Sequence, residues 1–269
     1  MSLLLVVDVG NTNIVLGIYD LLKGPSAQLE TSWRMATSCD RTADEYGACS
    51  LSLLSSKGIS VATISHVVVS NVVPPMQAVL TSWLTSYFKN AEFFSIDFTV
   101  KAGITIKIDN PSELGSDRIV NAAAGVELYG APLIIVDFGT ATSFDVINEN
   151  REYLGGAICP GLNISAEALF QRAPRLPRVE IIEPDHLIGT NTVQAMQSGL
   201  YYGYMGLVDG ILARLLDVYP GSNVIATGGL ATVVAPASKY IKQIAYNMIL
   251  RGLYIIWLKN RGQESCNFL

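Results

Sequence analysis

Histidine, cysteine and positive charge are all scarce in this 269-residue chain. The two histidines, His66 and His186, have no ligand-spaced partner, and Cys39, Cys49, Cys159 and Cys266 show no C-x-x-C spacing. A structural zinc site wants four Cys or His ligands, so none is expected. A disulfide scaffold belongs to short, core-poor chains, and here the thiols are expected to be buried and reduced. Lys and Arg number 18 against 23 Asp and Glu, a net charge of −5. Nucleic-acid affinity comes from clustered basic residues, so no nucleic-acid partner is expected. Long apolar runs are missing too: the run from Met1 stops at Asp8 and the run from Leu133 stops at Asp137. Both fall short of the ~20 residues that cross a bilayer. The first residues lack a basic region and a small-residue cleavage site, so a cytoplasmic protein with no signal peptide and no membrane partner is expected. Neither G-x-G-x-x-G nor G-x-x-x-x-G-K-[ST] occurs, which excludes the Rossmann and Walker phosphate loops.

Apolar side chain is abundant. At 50% hydrophobic residues the chain has enough to build a core, which excludes disorder, and its length suits one large domain or two small ones. An internal repeat favours two. Residues 5–18 read LVVDVGNTNIVLGI and residues 134–147 read IIVDFGTATSFDVI: an apolar run, Asp-x-Gly with small polar residues, then a second apolar run. A second pair follows in HVVVSNVVP (66–74) and VIATGGLATV (224–233). Continuous Val/Ile/Leu runs bounded by turn residues indicate strands covered on both faces by helices. Thr42 and Glu45 have the capping-box spacing ahead of a helix to about Ser56. Further helices are expected over Pro74–Lys89, Ser116–Tyr129, Gly161–Arg172 and Thr192–Tyr219, the last stopped by Pro220-Gly221. Ala195, Gly199, Gly203 and Gly206 give that last helix a small-residue face for a close neighbour. Internal packing is the default reading and a subunit contact the other. Between Ala173 and Pro184, three prolines exclude regular structure and predict an extended connector. Its Arg172, Arg175 and Arg178 form either a solvated basic loop or a receiver for an anion or partner.

The two Asp-x-Gly hairpins carry chemistry. Glycine removes the Cβ that would keep a phosphate away from backbone N–H groups, and Asn11 and Thr12 add short donors. A carboxylate beside a polyanion needs a cation between them, so Asp8 implies hydrated Mg²⁺. Asp137-Phe138-Gly139-Thr140-Ala141-Thr142 supplies the same parts again. Gly228-Gly229, after a short apolar run, allows a flat base or ribose to lie against the backbone. Gly115-Ser116-Asp117-Arg118 opens an Ala-rich helix. The positive end of the helix dipole favours an ionised Asp117, which can orient an alcohol and accept its proton, while Arg118 offers a fork suited to a carboxylate.

These motifs in this order resemble the actin-like ATPase/sugar-kinase superfamily and, more narrowly, type III pantothenate kinases. The resemblance runs through DVGNTN (8–13), NPSELGSDR (110–118), DFGTATSFD (137–145), GGAICPG (155–161), NTVQAMQSG (191–199) and TGG (227–229). It implies an α/β fold of two ribonuclease-H-like domains, 1–114 and 115–269, related by duplication and flanking one cleft. It implies ATP-dependent phosphorylation of pantothenate, the first step of coenzyme A biosynthesis, by a homodimer that needs K⁺ or NH₄⁺. By the same resemblance Asp8, Val9, Gly10, Asn11, Thr12, Asn13, Ile14, Val15 and Thr140 bind ATP with Mg²⁺. Gly115, Ser116, Asp117, Arg118 and Thr192 contact pantothenate, Asp117 is the catalytic base, and Asp137 holds the monovalent cation. Many relatives carry an aromatic residue seven positions before the motif glycine; here that position is Ile108, apolar but without a stacking ring. Another small-molecule kinase would share the hairpins without needing Gly-Ser-Asp-Arg. A nucleotide-sensing regulator would be free to lose Asp117, whose presence favours catalysis.

Overall fold

The computed structural model describes residues 2–261, and Cys266 lies outside them. Along the chain come β1 (Leu3–Val9), β2 (Asn13–Asp20), β3 (Leu29–Ala36), α1 (Ala43–Ser55), β4 (Ile64–Asn71), α2 (Gln77–Tyr87), β5 (Glu92–Ser95), β6 (Thr105–Ile106) and α3 (Ser116–Tyr129). Then follow β7 (Leu133–Phe138), β8 (Ala141–Ile147), β9 (Glu152–Pro160), α4 (Leu162–Arg172), α5 (Thr192–Val218), β10 (Asn223–Thr227), α6 (Ala231–Val234), β11 (Gln243–Ile244) and α7 (Met248–Asn260). The expected helix from Pro74 starts as a 3₁₀ turn over Pro74–Met76 and becomes α-helical only at Gln77. The two prolines have no N–H to give, so the first turn tightens instead. No helix among the described residues is long and apolar enough to cross a membrane.

The chain divides into two compact units. In the first, the sheet order is β3-β2-β1-β4-β5, with β1–β2–β3 antiparallel and β4 and β5 parallel to β1. In the second, the order β9-β8-β7-β10-β11 repeats it in direction as well as sequence, and β6 is added beyond β9. The duplication read from two short motifs is therefore a duplication of whole sheets. One detail departs from the sequence alignment. Val9 pairs with Ile14 across the first hairpin and Phe138 with Thr142 across the second, so the second turn is one residue shorter.

Burial explains the Val/Ile/Leu runs. One face of the first sheet packs Leu5, Val7, Val9, Leu16 and Val69 against Tyr46, Leu80, Trp83 and Leu84 of α1 and α2. The capping box forms as expected: Glu45 N donates to Thr42 Oγ1 and Thr42 N to Glu45 Oε2. Such a cap is worth roughly 1 kcal/mol. The other face is covered by α7, where Tyr19 and Tyr254 stack with ring centroids 4.3 Å apart. Burial pushes the Tyr19 phenol up to about 12. In the second unit Ile134, Val136, Phe144, Val146 and Val224 pack on Leu200, Tyr204, Val208 and Leu212 of α5.

Three expectations need correction. The units do not meet at residue 114: the first takes in Asp109–Glu127 and the chain from Met248 on, while Ile106–Ile108 belongs to the second. The C-terminal helix returns to the first sheet because that sheet's second face is apolar and needs a cover. Cys39 and Cys49 are exposed and Cys159 half-buried, all three free, rather than buried. The small-residue face of α5 packs internally only at Ala195, against Gly189: beyond their own helical turns, no described residue comes within 4 Å of a Cβ built at Gly199, Gly203 or Gly206.

Where α7 crosses α3, a Cβ at Gly252 would stand 2.3 Å from the Val120 carbonyl oxygen. A backbone atom cannot step aside as a side-chain tip can. Gly252→Ala should cost about 1–3 kcal/mol, the usual range for overpacking. Thermal unfolding should show a fall in Tm of several degrees, and an unchanged Tm would mean the two helices are not held at this spacing.

Candidate active site

In the first unit, Asp8 is the penultimate residue of β1 and lies opposite Val15 on β2 and Ser70 on β4. Gly10 N donates to Asn13 O at 3.0 Å and closes the hairpin, leaving Asn11, Thr12 and Asn13 exposed and the Asp8 carboxylate at their base. Val9 and Ile14 are fully buried, backbone included, and pair across the hairpin, so of the expected ATP-binding residues these two shape the loop and present no surface to a ligand.

The acceptor motif sits beside this hairpin through Ser70. Its Oγ lies 3.0 Å from Ser116 Oγ, both side chains buried, so the residue that flanks Asp8 in the sheet also fixes the start of α3. Asp117 Oδ1 accepts from the Arg118 N–H at 2.8 Å. The carboxylate folds back over Gly115, where a Cβ would stand only 2.5 Å from Asp117 Oδ1. A side chain there would have to push the Asp117 carboxylate out of this position. Asp117 and Arg118 are both half-buried.

The second unit repeats the carboxylate without the acceptor motif. Asp137 is penultimate in β7, opposite Ser143 on β8 and Thr227 on β10. Gly139 N donates to Ala141 O at 3.1 Å, and Thr140 stands exposed at the tip. Gly228 packs directly on this carboxylate: a Cβ would lie 2.4 Å from Asp137 Oδ1 and 2.6 Å from Phe138 O. Its φ of +94° also requires glycine. At the next position, Thr142 is buried and bonded to the Tyr204 hydroxyl, whose pKa burial pushes up.

Thr192 is the exposed first residue of α5, behind an Asn191 cap that accepts from Gln194 N at 2.9 Å. Ile108 is half-buried against Gly155 in the second unit. In the proline-rich connector, Arg178 pairs with Glu167 at 2.9 Å and lies over the Phe170 ring, while Arg172 and Arg175 are exposed. Two residues that matter to this geometry carry no local signal: Ser70, and Thr37, which donates from its side chain to Gly10 O. Both act across the sheet on residues distant in sequence, where no spacing rule reaches.

The donors near the two aspartates are oxygens. Among the described residues no three or more His, Cys, Asp or Glu gather as a metal centre. A hard cation such as Mg²⁺ takes one or two carboxylates and draws the rest of its ligands from water and phosphate, and Asp8 offers one such carboxylate. Beside Gly228 lie two oxygens, Asp137 Oδ1 and Phe138 O.

Known proteins resemble this chain along almost its whole length. Curated type III pantothenate kinases from Koribacter versatilis and Geobacter sulfurreducens are 48% and 50% identical. The first alignment covers 97% of both chains, the second 96% of this chain and 100% of the relative. A crystal structure described as a conserved Baf family transcriptional activator, from Campylobacter jejuni, superposes with a TM-score of 0.59 at 20% identity over 95% of this chain and 98% of that one. At that identity the likeness shows the fold alone. Residues 4–214 match the family described as type III pantothenate kinase, and with relatives of that description along almost its whole length the chain belongs to that family.

Proposed function

We propose that this chain transfers the γ-phosphoryl group of ATP to the alcohol of pantothenate, the first step of coenzyme A biosynthesis. The observation that supports this reading is the Ser70–Ser116 contact, which joins the strand beside Asp8 to the start of the Gly115–Arg118 helix within one unit. A phosphate loop alone suits any nucleotide binder. A phosphate loop beside an ionisable carboxylate and a guanidinium suits phosphoryl transfer to an acceptor that carries its own carboxylate.

In this reading the first hairpin, from Asp8 to Val15, would bind the phosphates of ATP, Thr140 would be a further nucleotide contact, and Asp8 would hold Mg²⁺, which would neutralise phosphate charge. Asp117 orients the acceptor hydroxyl and takes its proton. It need not be a strong base, because in a loose transition state the proton leaves late. The Arg118 N–H and the helix dipole both favour the ionised carboxylate. The Arg118 guanidinium pairs with the pantothenate carboxylate, and Gly115, Ser116 and Thr192 complete the acceptor contacts. Asp137 and the Phe138 carbonyl would hold K⁺ or NH₄⁺, whose positive charge would offset negative charge on the nucleotide. A homodimer belongs to the same reading. It is supported by the open faces of Gly199, Gly203 and Gly206 on α5 and by exposed Leu187, Ile188 and Val193 nearby in the chain. A cytoplasmic location is supported by three free thiols.

Asp117→Asn keeps size and reach but cannot take a proton. General bases contribute about 10²–10⁴-fold, so kcat should fall by that much. ATP binding should change little, whereas Asp8→Asn should weaken nucleotide binding and turnover together. Steady-state kinetics and nucleotide titration of both variants separate the roles. Near-wild-type turnover in Asp117→Asn would reduce the residue to a charge at a helix start.

The cation role has its own test. At fixed ionic strength the rate should be higher in K⁺ or NH₄⁺ than in Na⁺ or Tris, and Asp137→Asn should flatten that difference. Equal rates in all four buffers would remove the monovalent cation from the account.

A further inference from the structure

Thr37 lies just past β3, half-buried, with no place in the acceptor or phosphate motifs. It makes two hydrogen bonds to the hairpin that follows β1. Its hydroxyl donates to Gly10 O at 2.7 Å, and its backbone N–H donates to Thr12 O at 3.0 Å. The segment that carries it is itself anchored. Ser38 N donates to Tyr46 Oη at 2.9 Å, and the Tyr46 hydroxyl donates back to Ser38 O at 3.0 Å. Tyr46 is fully buried and stacked on Trp83, whose indole N–H donates to Ser50 Oγ. A rigid path therefore runs from the α1–α2 core through Tyr46 and Ser38 to the hairpin.

Peptide planarity gives these bonds a consequence. In a trans peptide the C=O and the following N–H point in opposite directions. With Gly10 O and Thr12 O both turned to Thr37, the N–H groups of Asn11 and Asn13 must turn the other way. We propose that Thr37 is a positioning residue of the phosphate loop, a clamp that holds two loop carbonyls aside so that the partner N–H groups face the phosphates of ATP. This rests on the reading that the nucleotide binds at Asp8–Val15.

The second repeat supplies an internal comparison. Ala36 pairs with Asn13 as Pro160 pairs with Ala141, so Gly161 is the counterpart of Thr37. There a Cβ would stand 2.2 Å from Thr140 O and 2.8 Å from Gly139 O, so the chain itself lies against the loop. The same position touches loop carbonyls in both units, by a hydroxyl in one and by bare backbone in the other. The longer first loop is the one that has the side-chain clamp.

Wild type, Thr37→Val, Thr37→Ser and Asp8→Asn can be compared by MgATP titration, by kinetics in each substrate and by thermal unfolding. A single hydrogen bond is worth about 2- to 10-fold in a binding constant. Thr37→Val should therefore raise the Kd and KM for ATP by roughly that factor while the KM for pantothenate holds, and Thr37→Ser should restore ATP binding. An unchanged ATP constant in Thr37→Val overturns the clamp, as does equal impairment of Thr37→Ser or a matching rise in the pantothenate KM. If Asp8→Asn weakens ATP and Thr37→Val does not, only the clamp fails. If neither weakens ATP, the nucleotide does not bind at this hairpin and the functional reading fails with it. Should Thr37→Val not fold, Tyr46→Phe carries the test, since it releases Ser38 but keeps Thr37. A raised ATP Kd then supports the clamp, and an unchanged one overturns it.

Discussion

A carboxylate one residue before the end of a fully buried strand is the constraint on which this structure turns. Leu4, Val6 and Val7 of β1 are completely buried, and so are Leu133 through Val136 of β7. A one-residue slip of either strand toward the core would draw its aspartate into apolar surroundings, and burying a carboxylate without partners is costly. Asp8 and Asp137 are therefore held at fixed positions, each at the foot of a glycine turn. The neighbouring parallel strands then decide what stands beside each carboxylate: Ser70 next to Asp8, Thr227 next to Asp137.

The two copies have diverged where their chemistry differs. Ser70 reaches across to Ser116 and brings an acceptor motif to the first hairpin. Thr227 instead donates to Ala245 O, deep in the sheet, and is followed by Gly228 packed on Asp137. One half thus sets its hairpin beside the Gly115–Arg118 motif, and the other packs Gly228 against its carboxylate and the Phe138 carbonyl. The unequal turn lengths, and Thr37 in one copy against Gly161 in the other, belong to the same divergence.

Much of this was legible in the sequence, for local reasons. The Val/Ile/Leu runs marked β1, β4, β7 and β10 because doubly covered strands must be apolar on both faces. Thr42 and Glu45 marked the start of α1 because the capping box is a four-residue device. The unit boundary was not legible. α3 and α7 join the first sheet through contacts such as Gly252 on Val120, which depend on chain crossovers rather than composition. The shorter second turn was masked by similar letters, Gly-Asn-Thr-Asn against Gly-Thr-Ala-Thr. Exposed Cys39 and Cys49 contradict a rule based on average burial, which says nothing about a given helix face or loop.

The measurement that bears most directly on the whole account is ADP release by the purified protein with MgATP in K⁺ buffer, with and without pantothenate, and the mass of the product. The account predicts that ADP appears in step with a pantothenate product carrying one added phosphoryl group, and that omitting pantothenate leaves only slow background hydrolysis. ADP release at the same rate with no pantothenate present, or with no phosphorylated pantothenate formed, would contradict it.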